Sequence, residues 1–335
     1  MIAYESGGSV FALTDGAELL LHDGESEGPL WRVALDSKIV GVGIDAQQVV
    51  AVTESGTVSW FAARTQSPAK KTVQLGAQVR TACVDVTNDR VVAITAHGVV
   101  RHSRGTTEPI GEEGAICVAL SPTGAVLFAS PTHVVLLGAA GDRKATAFDG
   151  VRAVAWHPGA NLWLLGVEAK VYKWDGLNEI AHVTNLPAGS KLDSITASTR
   201  AFAIGWNRNM VVALEWPSRD TLGSLQYFDR EADGMAFGPW PWLGVALDGG
   251  DGNKFNLESA AVHRSDTHPG REHRRWMLNV GGASKPTQPA PPPALPPQRA
   301  PAPLPPEPAK SGGIPYVAWV IIAVIVFVIR MAMRS

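Results

Sequence analysis

A segment of about forty residues recurs along most of this chain. A period of that length restricts the fold to a stack, an array or a ring of like units. Gly41-Val-Gly-Ile-Asp45 followed by Val49-Val-Ala-Val-Thr-Glu-Ser-Gly-Thr-Val-Ser-Trp60 is echoed by Cys83-Val-Asp-Val-Thr87 and Val91-Val-Ala-Ile-Thr-Ala-His-Gly-Val-Val-Arg-His102. Cys117-Val-Ala-Leu-Ser-Pro122, Ala153-Val-Ala-Trp-His-Pro158 and Gly234-Met-Ala-Phe-Gly-Pro239 open further copies. The copies near Ile195 and at Gly234 are weaker, and the N-terminus supplies a seventh from Ala3.

Each copy reads as a short strand, a polar turn, a second strand, a tight turn and a third strand. Val-rich runs of a few residues between turn signals favour strands, and almost no helical periodicity precedes residue 314. The tight turns Thr14-Asp-Gly16, Glu54-Ser-Gly56, Ala96-His-Gly98 and Asn207-Arg-Asn209 tolerate the positive φ of hairpins. A fourth strand fits between copies, as at Glu179–Thr184. Four-stranded units arranged radially leave no long open edge. The expected fold class is therefore all-β, a seven-bladed β-propeller of four-stranded blades over residues 1–282, with six and eight blades as alternatives. Two closures are open. Arg274–Val280 is one candidate for the outermost strand of the last blade, after an irregular insertion over Ser259–His273; alternatively the N-terminus completes that blade.

Over residues 2–280 the pattern resembles the WD40-like β-propeller superfamily in degenerate form. Trp174-Asp175 matches the family's Trp-Asp dipeptide, and Trp60 and Trp216 take the corresponding strand-end place without the Asp. Ser121-Pro122, His157-Pro158 and Gly238-Pro239 are similar to the family's corner before the second strand. No copy carries the Gly-His pair, so the family's His–Asp–Trp network is expected to be missing. A rigid disc with many loops presents two faces, and the expected role is a non-catalytic protein-interaction platform.

The end of the chain is of another kind. Lys285–Lys310 holds half of the chain's 24 prolines and reads as a disordered Pro-rich linker within residues 283–313, a semi-rigid spacer with polyproline character. Ile314–Ile329 carries no charge, and with Met331 to Met333 it approaches the length of a bilayer core. Arg330 can snorkel, and Tyr316 and Trp319 suit the headgroup level. One transmembrane α-helix is expected over 314–333, a tail anchor through Ile314–Met333. The N-terminus shows neither a basic nor an apolar leader, and the two cysteines make no disulfide framework. The expected localisation is thus a single-pass membrane protein with its propeller in the cytoplasm, and high Ala, Val, Gly and Pro fit a bacterial source. The chain's formal net charge is −2, which disfavours a nucleic-acid partner.

No phosphate loop, nucleophile elbow or zinc motif is present, so no catalytic residue, cofactor or metal site is assigned. Cys83 and Cys117 read as equivalent small residues of the innermost strand, sharing a column with Gly41, Ala153 and Gly234. His263, His268 and His273 are wrongly spaced for one metal-binding face. Asp248-Gly-Gly-Asp-Gly-Asn253 lacks the acceptor spacing of a calcium loop and reads as a hairpin turn. The candidate partner-binding residues are His97, His133, Arg208, Trp240 and Trp242, chosen for their loops. Arg264, Arg271, Arg274 and Arg275 are candidates for contact with acidic lipid or an acidic partner. The expected function is a membrane-tethered scaffold for unknown protein partners on the cytoplasmic face. The alternatives are a propeller enzyme or small-molecule sensor using the central channel, and a periplasm-facing envelope assembly factor.

Overall fold

The computed structural model describes residues 1–265 except 6–9, 24–27, 228–230, 249–251 and 260, with backbone alone over 261–265. The Pro-rich linker, the expected span 314–333, and Arg271, Arg274 and Arg275 lie outside the described residues, as does the side chain of Arg264. Among the described residues no helix is long and apolar enough to cross a membrane.

The described chain folds into seven antiparallel sheets, each of four strands consecutive in sequence. It is a seven-bladed β-propeller. The first strands of the blades are Ile2–Tyr4, Ile39–Ile44, Val79–Asp85, Cys117–Leu120, Val151–His157, Leu192–Ala197 and Ala232–Phe237. Each packs beside the first strand of the next blade, and the last returns to the first, which closes the ring around an axis. Second strands such as Ala201–Trp206 are buried along their whole length, while fourth strands such as Arg143–Ala147 are largely exposed. Apolar runs thus take the place covered on both faces, and charged, short strands take the rim.

The core is divided. One apolar layer lies between each pair of neighbouring blades. Blades 5 and 6 share a large one containing Leu164, Phe202 and Ile204. Among the described residues, the layer between blades 7 and 1 buries Ile2, Phe11, Leu13 and Ala246. Polar contacts reinforce that seam. The Met1 amine donates to Thr14 Oγ1 at 2.8 Å and pairs with Asp233 at 3.4 Å. Gly244 lets the inner strand approach, since a Cβ there would stand 2.6 Å from Ile2 and Tyr4.

Closure differs from both sequence alternatives. The outermost strand of blade 7 is Ala261–Ser265, paired with Gly252–Asn256, inside the stretch read as an irregular insertion. Its His and Arg residues hid it, because outer edges accept charge that inner strands do not. The N-terminus instead forms the first strand of its own blade.

The turns between second and third strands and the crossovers between blades emerge at one end of the ring, here the crossover face. The remaining turns emerge at the far face. Among the described residues, five of the six crossovers are tied to the turn behind them by a pair of backbone hydrogen bonds. Leu75 N donates to Gly56 O and Val79 N to Glu54 O, both at 2.9 Å, and the same double bond recurs where Leu186 and Leu192 meet Ala169 and Glu168. Gly56 has φ +90, and a Cβ there would stand 2.3 Å from Ala77 O. Gly56→Ala is expected to cost about 2 kcal/mol, read as a lower midpoint in denaturant titration.

Candidate functional site

The ends of the seven inner strands build a funnel around the axis at the far face, with a volume of about 630 Å³. Strand register sets its mouth. Tyr4, Ile44, Val84, Leu120, Trp156 and Phe237 pair at equivalent positions of six blades, and Ala197 takes the seventh. All seven line the funnel, and none carries a charge. Trp156 is held edge-on to Trp163 at 4.8 Å, so its ring is fixed by packing rather than free to rotate.

A second depression of about 830 Å³ runs between blades 3 and 4 on the same face. Thr87, Asn88 and Pro122 line both spaces, so the groove and the funnel share a wall. The groove is polar and rich in arginine. Arg90 reaches Asp85 at 2.9 Å and donates from Nη2 to Pro122 O at 2.8 Å, leaving its buried Nε without a partner among the described residues. Arg101 donates from Nε and Nη2 to one oxygen of Glu108, at 2.8 and 2.5 Å. Asp89 pairs with Lys71. Arg104 stands exposed at the turn with φ +51 and makes no ion pair among the described residues. Gly124 makes room for Arg90, since a Cβ there would meet its Nη1 at 1.9 Å.

The five candidate partner residues are split between the faces. His97, His133 and Arg208 are exposed at second-to-third-strand turns of blades 3, 4 and 6, all on the crossover face. Arg208 pairs with Glu231 at 2.9 Å, and its backbone N–H donates to the Asp193 carboxylate. Trp240 and Trp242 are half-buried at the first-to-second-strand turn of blade 7, on the far face. Arg200 lies 4.6 Å over the Trp240 ring, whose Nε1 donates to Glu258 at 2.6 Å, and Lys254 lies 4.6 Å over Trp242. The two groups cannot form one contact surface.

The cysteines are free and inner, as expected, but not equivalent. Cys117 pairs with Ala129 and shares its register with Gly41, Ala153 and Gly234. Cys83 pairs with Val92 and falls two residues further on, level with Gly43, Ala119, Ala155 and Ala236. The link from the first to the second strand is two residues longer in blade 3, where Val84 pairs with Val91, than in blade 2, where Ile44 pairs with Val49, and this offset misaligned the sequence columns. Burial pushes both thiols up to about 12, which leaves almost no thiolate near neutral pH.

The tryptophan correspondence also fails. Trp174 faces Trp163, the register held in blade 2 by Phe61 opposite Val49, while Trp60 is one residue earlier and points to the other side of its sheet. Trp216 lies beyond its third strand, Met210–Glu215. The Asp175 carboxylate turns inward on its own loop, accepting from the N–H groups of Asn178 and Leu177 at 2.8 Å, and these bonds hold its pKa down at about 2. The turn reading of Asp248–Asn253 fits its place between the second and third strands of blade 7, although residues 249–251 lie outside the described residues. Among the described residues no group of three or more His, Cys, Asp or Glu is arranged to hold a metal ion.

Sequence reasoning missed the mouth ring and the arginine groove. A signal was present for the former: Leu120, Trp156 and Phe237 each stand two residues before the proline of a corner, where an inner strand ends. No family model matches the chain, and no curated protein matches it either.

Proposed function

We propose that this protein is a membrane-tethered, non-catalytic scaffold for protein partners, held at the cytoplasmic face of a bacterial membrane by residues 314–333. The observation that carries the reading is the crossover face. The turns that carry His133 and Arg208 are fixed by paired backbone hydrogen bonds to the following crossover, Phe148 and Gly150 donating to Thr132 and Pro131, and Tyr227 and Ala232 to Asn209 and Arg208, so a partner meets a surface already ordered. Preordered surfaces lose less conformational entropy on binding than mobile ones. Several blades present such turns together, so individually weak contacts add.

The test is affinity purification of the full chain from solubilised membranes, beside a variant carrying His97→Ala, His133→Ala and Arg208→Ala. Partners that bind this face drop about tenfold or more in recovery, a loss of roughly 1.4 kcal/mol spread over three contacts. Equal recovery by both chains, with no partner above the background of an unrelated tail-anchored protein, overturns the scaffold reading. Protease accessibility in intact cells and in inverted vesicles tests the cytoplasmic placement, and cleavage of the blades in intact cells with a permeable outer layer would favour the periplasm-facing alternative.

A further inference from the structure

The far face carries a binding site of mixed character that the scaffold reading leaves unused. At its centre is a funnel whose seven-residue mouth ring is uncharged, with Asp85, paired to Arg90, on the blade 3 wall. Its volume of about 630 Å³ falls within the range of sites for small organic ligands. Such sites pair an apolar enclosure with a few polar groups that fix orientation. Here the cationic groups lie to one side, beyond the shared wall of Thr87, Asn88 and Pro122, in the groove that holds Arg90, Arg101 and Arg104.

Charge fixes the sign of the ligand's polar end. Asp85 answers Arg90, Glu108 answers Arg101, and Asp89 answers Lys71, which leaves Arg104 as the surplus cation. The buried Arg90 Nε adds an N–H without an acceptor among the described residues, and a buried donor left unmade is costly. Arginine donors in a fixed fork suit phosphate and carboxylate groups. We infer that the far face binds an anionic amphiphile, with its hydrocarbon chain in the funnel and its acidic head in the groove between blades 3 and 4. The chemistry is shared by an anionic membrane lipid and by a free acyl or alkyl anion.

The test uses the full chain in nanodiscs of neutral lipid and a photoactivatable analogue of decyl phosphate, with the labelled peptides mapped by mass spectrometry. Label is expected on the inner strands around Leu120, Trp156 and Phe237. Unlabelled decyl phosphate is expected to compete about tenfold better than decanol, the difference made by one charge-assisted contact. Arg104→Glu, on an exposed turn where the fold is indifferent, is expected to remove that preference. Ala197→Asp, which places a charge in the mouth ring, is expected to abolish labelling, with an unchanged melting temperature showing that the blades persist. Loss of label when anionic lipid replaces part of the neutral lipid identifies the bilayer as the source; loss only with added free amphiphile identifies a soluble one. Label confined to residues outside the inner strands, or equal competition by decanol and decyl phosphate, overturns the inference. Because the scaffold test alters only the crossover face, failure of one does not entail failure of the other.

Discussion

Trp163→Ala is expected to lower the stability of the ring by about 3–5 kcal/mol, the usual range for removing a large aromatic from a packed core. Trp163 is 2% exposed and stands in the second strand of blade 5. It faces Trp156 on one side and Trp174 on the other, so three indoles lie side by side across three strands. Their sheet face packs on Cys117, Ala119, Leu127 and Val134 of blade 4. Small side chains on that opposing surface cannot swing in to fill the space, so much of the cavity would persist. For a chain of this size the loss corresponds to a fall in melting temperature on the order of 10 °C. Circular dichroism melts of both proteins check this directly. A shift below about 2 °C would mean that the layer between blades 4 and 5 does not hold the ring.

Acid is expected to weaken the fold well before the carboxylates titrate. His22 is 1% exposed, stacked on Phe11 at 5.1 Å, and burial pushes its pKa down to about 4. In the unfolded chain the same imidazole takes a proton near its ordinary value of about 6.5. Between those two values the unfolded state binds more protons than the folded one, so stability falls as pH falls. The contribution is fully present above about pH 6.5 and is lost progressively toward pH 4, up to about 3 kcal/mol. His102 and His157 are buried and shifted in the same direction by the same cause, which steepens the slope. His157 accepts from Ala160 N at 3.2 Å through Nδ1, so protonation would also break a turn bond. Denaturation midpoints measured from pH 7 to pH 4.5 check the slope, and His22→Gln is expected to flatten it. An unchanged midpoint across that window would exclude this account of His22.

Repetition made the architecture legible. Each copy repeats an apolar second strand between turn residues, and that run can be satisfied only where both faces are covered. What the repeat could not carry is register, because turn lengths differ between copies and a slip of one residue moves a side chain to the other side of its sheet. Cys83 was misaligned by the two-residue difference in turn length between blades 2 and 3, and Trp60 by a one-residue slip against Trp174. The outer strand Ala261–Ser265 escaped notice because strands at the rim need no apolar pattern. The mouth ring was invisible for a different cause. It takes one residue from each of seven segments, and no local motif joins residues so distant in sequence. Of the candidates chosen for their loops, His97, His133 and Arg208 do share a face, since the same turn recurs in every blade.

Every sheet here is made from one uninterrupted piece of chain, and no blade borrows a strand to lock the circle. A gene rearranged to begin at Ile39, with its first unit moved to the end, would therefore encode the same seven sheets intact. Copying or deleting one whole unit likewise severs no strand pairing and only changes the angle each sector must fill. Such a ring can grow or shrink by recombination in single steps, whereas a design with an interlocked first and last sector must alter both termini together.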